Sequence, residues 1–201
     1  YFGTSNGTWV YECDKYYDMS KNVYTDVPEG YYAKDKIEYL YNEGISYQFH
    51  DGKFRPDEGM RRERFVDMLR IALDLRQVRY EQAFADVDKF NVNYVNVQAL
   101  YENGFIDVPA DGLFRPKDNI TYDEVAKMLY AAVRNKHIPN RGDISEMKDY
   151  VDENVAADVK YAVFQLKKLG MIDDTIKFKS GENATNTDIA VMFYNFLQLI
   201  H

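Results

Sequence analysis

Residues 97–133 read VQALYENGFIDVPADGLFRPKDNITYDEVAKMLYAAV. Val97, Leu100 and Tyr101 recur at i, i+3 and i+4, one face of a short helix that Gly104 closes. Asp111-Gly112 is a turn signal. Beyond it Val125, Met128, Leu129, Ala132 and Val133 recur at i, i+3, i+4, i+7 and i+8, the stripe of a longer amphipathic helix. The same unit occurs upstream: Gly44, Asp51, Phe54 and Phe65 each lie 60 residues before Gly104, Asp111, Phe114 and Val125. A third copy has Gly170 and Phe178, 66 and 64 residues after their counterparts, so its turn is two residues shorter. Repetition at a near-constant period means one supersecondary unit used three times, the copies burying one another's apolar faces. This points to a modular binding or anchoring protein rather than to a single catalytic cleft.

The expected fold is all-α, three tandem helix-loop-helix repeats around a central three-helix bundle with pseudo-threefold symmetry, the short helices packing outside. The repeats cover 25–79, 84–136 and 147–201. Residues 1–24 are an N-terminal lead-in without helical period, and 137–146, with Pro139 and Gly142, read as a linker. Each repeat is near the lower size limit for independent folding, so a shared core is expected.

The formal net charge of −8 argues against general nucleic-acid binding, which needs an excess of Lys and Arg to neutralise phosphates. Mean hydropathy is −0.53, and no run of 18 or more apolar residues suggests a membrane span. No leader peptide pattern opens the chain, which starts abruptly at Tyr1 and reads as an excised or processed fragment. The single cysteine, Cys13, excludes an intrachain disulfide framework. The 18 tyrosines serve either to fill the cores of small helical units or to stack on sugars and amphipathic partners.

The starts of the long helices differ. Thr121-Tyr122-Asp123-Glu124 and Thr185-Asn186-Thr187-Asp188 have the capping form in which a hydroxyl accepts an otherwise unpaired backbone N–H. The first repeat has Arg61-Arg62-Glu63-Arg64 instead. Arginine at the positive end of a helix dipole is unfavourable, and a lost cap costs about 1 kcal/mol. Such a break of a local rule marks a candidate functional site. The plainer alternative is a solvated face on which Glu58, Glu63 and Asp67 neutralise the arginines.

These residues resemble S-layer homology repeats. The shared features are an Asp-Val opening, a helix ending in glycine, and the turns Asp51-Gly52-Lys53-Phe54-Arg55-Pro56 and Asp111-Gly112-Leu113-Phe114-Arg115-Pro116. The family's Thr-Arg-Ala-Glu motif falls on the three helix starts just described. The resemblance implies a secreted, non-catalytic module at the cell wall or S-layer. Its grooves would bind an anionic, often pyruvylated, secondary cell-wall polysaccharide. By that resemblance Arg62 contacts the carboxylate, aided by helix-start N–H groups, with Arg55, Arg61 and Arg64 supporting and Tyr32 stacking on the sugar. Asp51, Gly52, Asp111, Gly112 and Arg115 of the turns, and Tyr122 at the position matching Arg62, complete the candidate ligand-binding set. An Arg fork with helix-start N–H groups suits a carboxylate, and aromatic rings suit a sugar's apolar face.

No cofactor or metal is expected. Asp86-x-Asp88 opens like a calcium loop, but Asn91 and Val97 stand where Gly and Glu are needed. His50, His137 and His201 are far apart, and no phosphate loop or nucleophile elbow occurs. The alternative to glycan binding is a degenerate repeat array serving as an assembly scaffold, with a surface-protein partner.

Overall fold

The first repeat's short helix, α1 (Lys34–Asn42), buries Ile37 and Leu40 and ends where Gly44 turns to a positive φ of 69°. The computed structural model describes residues 23–47, 49, 51–76, 81–149 and 154–200. The lead-in up to residue 22, with Cys13, lies outside them, as do His50 and His201. The remaining α-helices are α2 (Arg62–Leu73), α3 (Tyr94–Glu102), α4 (Tyr122–Asn135), α5 (Ala157–Lys168) and α6 (Asn186–Ile200). The described residues are thus helical, with β pairing confined to three isolated bridges. None of their helices is long and apolar enough to cross a membrane.

Each short helix ends alike: Ile45, Phe105 and Met171 donate their N–H groups back to the carbonyls of Leu40, Leu100 and Leu166. The intervening Gly44, Gly104 and Gly170 hold φ of 69°, 75° and 74°, which a side chain would disfavour. The turn that follows contains a non-glycine residue in the same region, Arg55 at φ 61° and Arg115 at 58°. A carboxylate holds each: Asp26 accepts from the N–H groups of Phe54 (2.7 Å) and Arg55 (2.8 Å), and Asp86 accepts from Phe114 and Arg115, both at 2.7 Å. The Asp of each Asp-Val opening therefore clamps a turn 28 residues downstream.

Packing crosses between segments. The long helix α2 packs on α3, α4 packs on α5, and α6 packs back on α1. Each long helix thus packs on the short helix of another segment. At the centre Met60, Ile120 and Ala184 form a closed ring of backbone hydrogen bonds. Met60 N–H donates to Ala184, Ala184 to Ile120 and Ile120 to Met60, each at 2.9 Å. All three residues are buried, so the ring satisfies groups that water cannot reach. Phe65 and Phe193 meet edge-on beside it, ring centroids 5.4 Å apart.

The region expected to be a linker, 137–146, docks on α5. A 3-10 turn over Ile144–Asp149 begins inside it, Lys168 pairs with Glu146, and Arg141 N–H donates to Gln165 at 2.8 Å.

Candidate functional site

Helix starts usually expose unpaired N–H groups, but those of α2 are occupied. Arg62 N–H donates to the Asp118 carbonyl and Glu63 N–H to Pro116, both at 2.9 Å. Arg64 and Phe65 donate to Arg61. This corrects the expectation that helix-start N–H groups hold a ligand carboxylate. It also explains the missing cap: Arg61 makes no capping bond because a neighbouring turn supplies the acceptors. Helix α4 does have the expected reciprocal box between Thr121 and Glu124, and Thr185 caps Asp188 N–H at 3.1 Å.

Tertiary pairing links the second position of two helix starts to the fourth position of another. Arg62 Nη1 donates to Glu124 at 2.5 Å, and the Tyr122 hydroxyl donates to Asp188 in a short buried bond. Burial, followed by the hydrogen bond and charge of Asp188, pushes the Tyr122 hydroxyl pKa well above its usual 10.0. The remaining pair is Asn186 and Arg64, in which the acid has become arginine and the cation an amide. Asn186 instead donates from Nδ2 to the Arg55 carbonyl at 2.8 Å, leaving its buried Oδ1 without a partner.

Among the described residues, two clefts lie at these helix starts. The first, about 320 Å³, contains Arg62 and Glu124 beneath an apolar wall of Phe105, Ile106, Val108 and Pro109. Arg62 lies 5.4 Å from the Phe114 ring centroid, and its Nε is buried and unpartnered. Lys127 at the rim pairs with Asp158 at 3.4 Å. With Asp107 the lining holds two cations against three carboxylates.

The second cleft, about 460 Å³, contains Arg55, Arg61 and Arg64 with Asn186, against two carboxylates, Glu58 and Glu63. Arg64 is 3% exposed. Its guanidinium stacks at 5.2, 4.4 and 5.7 Å from the ring centroids of Tyr47, Phe49 and Phe54. Nη2 donates to Tyr47 O at 2.9 Å and Ser46 Oγ at 3.3 Å, while Nε and Nη1 are buried without partners. No carboxylate among the described residues pairs with it, and burial lowers its pKa from the usual 12.5. The solvated-face alternative therefore fits only Arg61, 3.6 Å from Glu63. Arg55 pairs with Asp51 at 3.0 Å and lies 4.2 Å from the Phe49 ring centroid.

The structure separates the rest of the candidate set. Tyr32 is half exposed and stacks on Tyr31, whose hydroxyl contacts Thr187 at 3.0 Å. That places it at the start of α6, outside the lining of either cleft, because α1 packs there. Burial and the neighbouring Tyr31 push its hydroxyl pKa up to about 12. Gly52 and Gly112 accept through their carbonyls from Thr25 and Ala85, and Asp111 pairs with Arg115 across its own turn. Neither Asp111, Gly112 nor Arg115 lines either cleft. Tyr122 is buried against Phe178. Sequence reasoning missed Glu124 and Asn186 as partners, although the 60-residue offset between Arg64 and Glu124 already marked the charge reversal.

Comparison with protein families matches the S-layer homology domain to residues 23–63 and 83–126. Over these two stretches the chain is similar to that family. Such a domain is a non-catalytic anchoring module of surface proteins. The chain is 25% identical over 183 residues to exoglucanase XynX of Acetivibrio thermocellus, covering 90% of this chain and 17% of that protein. It is 26% identical over 180 residues to an amylopullulanase of Thermoanaerobacterium thermosulfurigenes, covering 88% and 10%. It is 26% identical over 155 residues to the surface-layer 125 kDa protein of Lysinibacillus sphaericus, covering 77% and 12%. The chain spans between a tenth and a sixth of these relatives' length.

Proposed function

We propose that this chain holds a surface protein on the bacterial envelope by binding an anionic, pyruvylated secondary cell-wall polysaccharide, without catalysis. In this reading 25–79, 84–136 and 147–201 are three copies of one unit, and the polymer occupies clefts between them. The observation that carries it is the Arg62 cleft within the matched S-layer homology domains. Its apolar wall suits the carbon face of a sugar, and Arg62 Nε offers a donor to a ring oxygen or hydroxyl. The small size of the chain beside its relatives fits an anchor attached to a larger protein.

The test is sedimentation with purified cell walls. Wild type should co-sediment, and removing the pyruvate ketal or introducing Arg62→Ala should weaken binding roughly tenfold, the value of one charge-assisted hydrogen bond. Unchanged retention of Arg62→Ala would remove that residue from the site. The scaffold reading draws on one feature, the exposed Phe90, Val92 and Val95. Wild type that ignores walls while a surface protein binds this patch, lost on Val92→Ser, would favour it.

A further inference from the structure

The turns of the first two copies carry Asp51-Gly52 and Asp111-Gly112. Asp-Gly is a reactive pair, because glycine has no Cβ to shield its nitrogen. That nitrogen attacks the protonated aspartyl carboxyl: the N–Cγ bond forms, the Cγ–OH bond breaks, and the N–H proton leaves with the hydroxyl as water. The five-membered imide then takes up water at either carbonyl and opens to aspartate or to isoaspartate, which lengthens the backbone by one atom. Both turns hold their glycine at a φ of 71°, so another residue there would be strained.

Beside each pair stands an arginine whose place stability does not explain. Arg55 and Arg115 hold φ of 61° and 58°, a region that disfavours any side chain. Arg55 pairs with Asp51 at 3.0 Å and Arg115 with Asp111, both across solvated turns where an ion pair adds little. The third copy loses both features together. Counted from Phe178, it has Thr175-Ile176 at the dipeptide and Lys179 at the arginine, and Lys179 pairs with Glu182 at 3.3 Å instead.

We propose that Arg55 and Arg115 guard Asp51 and Asp111 against conversion to isoaspartate, which makes these two Asp-Gly pairs latent modification sites. A guanidinium favours the ionised carboxylate, which lacks the hydroxyl that must leave as water. The hydrogen bond from Arg115 holds the Asp111 carboxyl below its usual 3.8. The attacking nitrogens are occupied as well: Gly52 N–H donates to Phe49 O at 2.8 Å, and Gly112 N–H to Pro109 O at 2.9 Å. Each carboxylate also accepts from the residue two positions on, Lys53 N–H at 3.2 Å and Leu113 N–H at 3.1 Å. Conversion at Asp111 would insert an atom just ahead of Phe114 and Arg115, whose N–H groups Asp86 holds. Beyond them lie Pro116 and Asp118, whose carbonyls receive the start of α2. One chemical event in this turn thus reaches the helix start that carries Arg62.

The experiment is incubation of the folded chain in mildly acidic buffer, with isoaspartate at positions 51 and 111 followed over time by peptide mapping. Wild type should convert at Asp111 far more slowly than a synthetic peptide of residues 107–118. Arg115→Gly is the decisive variant, because glycine suits the positive φ and keeps the turn. A purely structural arginine would leave conversion unchanged on this substitution. Loss of a guard instead raises conversion at Asp111 severalfold, while Asp51 in the same molecules keeps the wild-type rate. Arg115→Lys retains a cation and should stay near wild type. Amide exchange at Gly112 separates charge from mobility: the expected result is faster conversion of Arg115→Gly with exchange unchanged. Faster conversion matched by equally faster exchange would assign the effect to a loosened turn and overturn the proposal. Wild-type conversion as fast as the free peptide, Arg115→Gly as slow as wild type, or Arg115→Lys as fast as Arg115→Gly would overturn it too.

Discussion

Replacing Arg64 by methionine should leave the fold almost as stable as before, despite the residue's burial. Two buried N–H donors without partners cost about 1–3 kcal/mol each. Against this stand two hydrogen bonds to Ser46 and Tyr47, together about 2–3 kcal/mol, and three aromatic contacts at about 0.5–1 kcal/mol each. These terms nearly cancel, and methionine retains much of the packing among Tyr47, Phe49 and Phe54. The expected change lies within about 1.5 kcal/mol, equal to a Tm shift of about 3–6 °C for a chain this size. By contrast Phe65→Ala, at an equally buried position beside Phe193, should cost about 3–5 kcal/mol. Urea denaturation of both variants with wild type gives the comparison directly. A loss above about 3 kcal/mol for Arg64→Met would refute the reasoning, since Arg64 would then be a structural keystone.

Other perturbations address the scaffold. Asp86→Ala removes both acceptors that hold Arg115 at positive φ and should destabilise by about 2–4 kcal/mol in chemical denaturation, whereas a loss below about 0.5 kcal/mol would mean the turn holds itself. Amides of Met60, Ile120 and Ala184 should exchange with solvent only through global unfolding, and fast exchange at any of them would show that the central ring opens locally. Tyr122 has a folded pKa raised above the unfolded value near 10, so its contribution is complete below pH 10 and is lost as pH rises from there toward the folded value. Tyr122→Phe should therefore cost about 1–3 kcal/mol at pH 7 by leaving the Asp188 carboxylate unpaired, and should lose less stability than wild type between pH 10 and 11 in thermal melts; parallel pH profiles would contradict this.

The fold was readable because its signals are local. The 60-residue offset, the glycines after Tyr41-Asn42-Glu43 and Tyr101-Glu102-Asn103, and the stripe from Val125 to Val133 are properties of short segments. The site was only partly readable because its contacts run between segments. Arg61 looked like a helix start in violation of its rule, yet the acceptors it lacks come from Pro116 and Asp118. Tyr32 was expected beside Arg62, but α1 packs on α6, where Tyr31 reaches Thr187 and Tyr32 stacks on Tyr31. Arg64 looked like one charge among four until burial and the loss of its opposing acid set it apart from Arg61 and Arg62.

Isothermal titration of the intact chain with purified, defined wall polysaccharide puts the anchoring account at greatest risk. It should bind saturably with native polymer and at least about tenfold more weakly after chemical removal of the acidic group, the difference one charged contact makes. Equal affinity for native and acid-stripped polymer, or heat no greater than that of dilution for both, would contradict it.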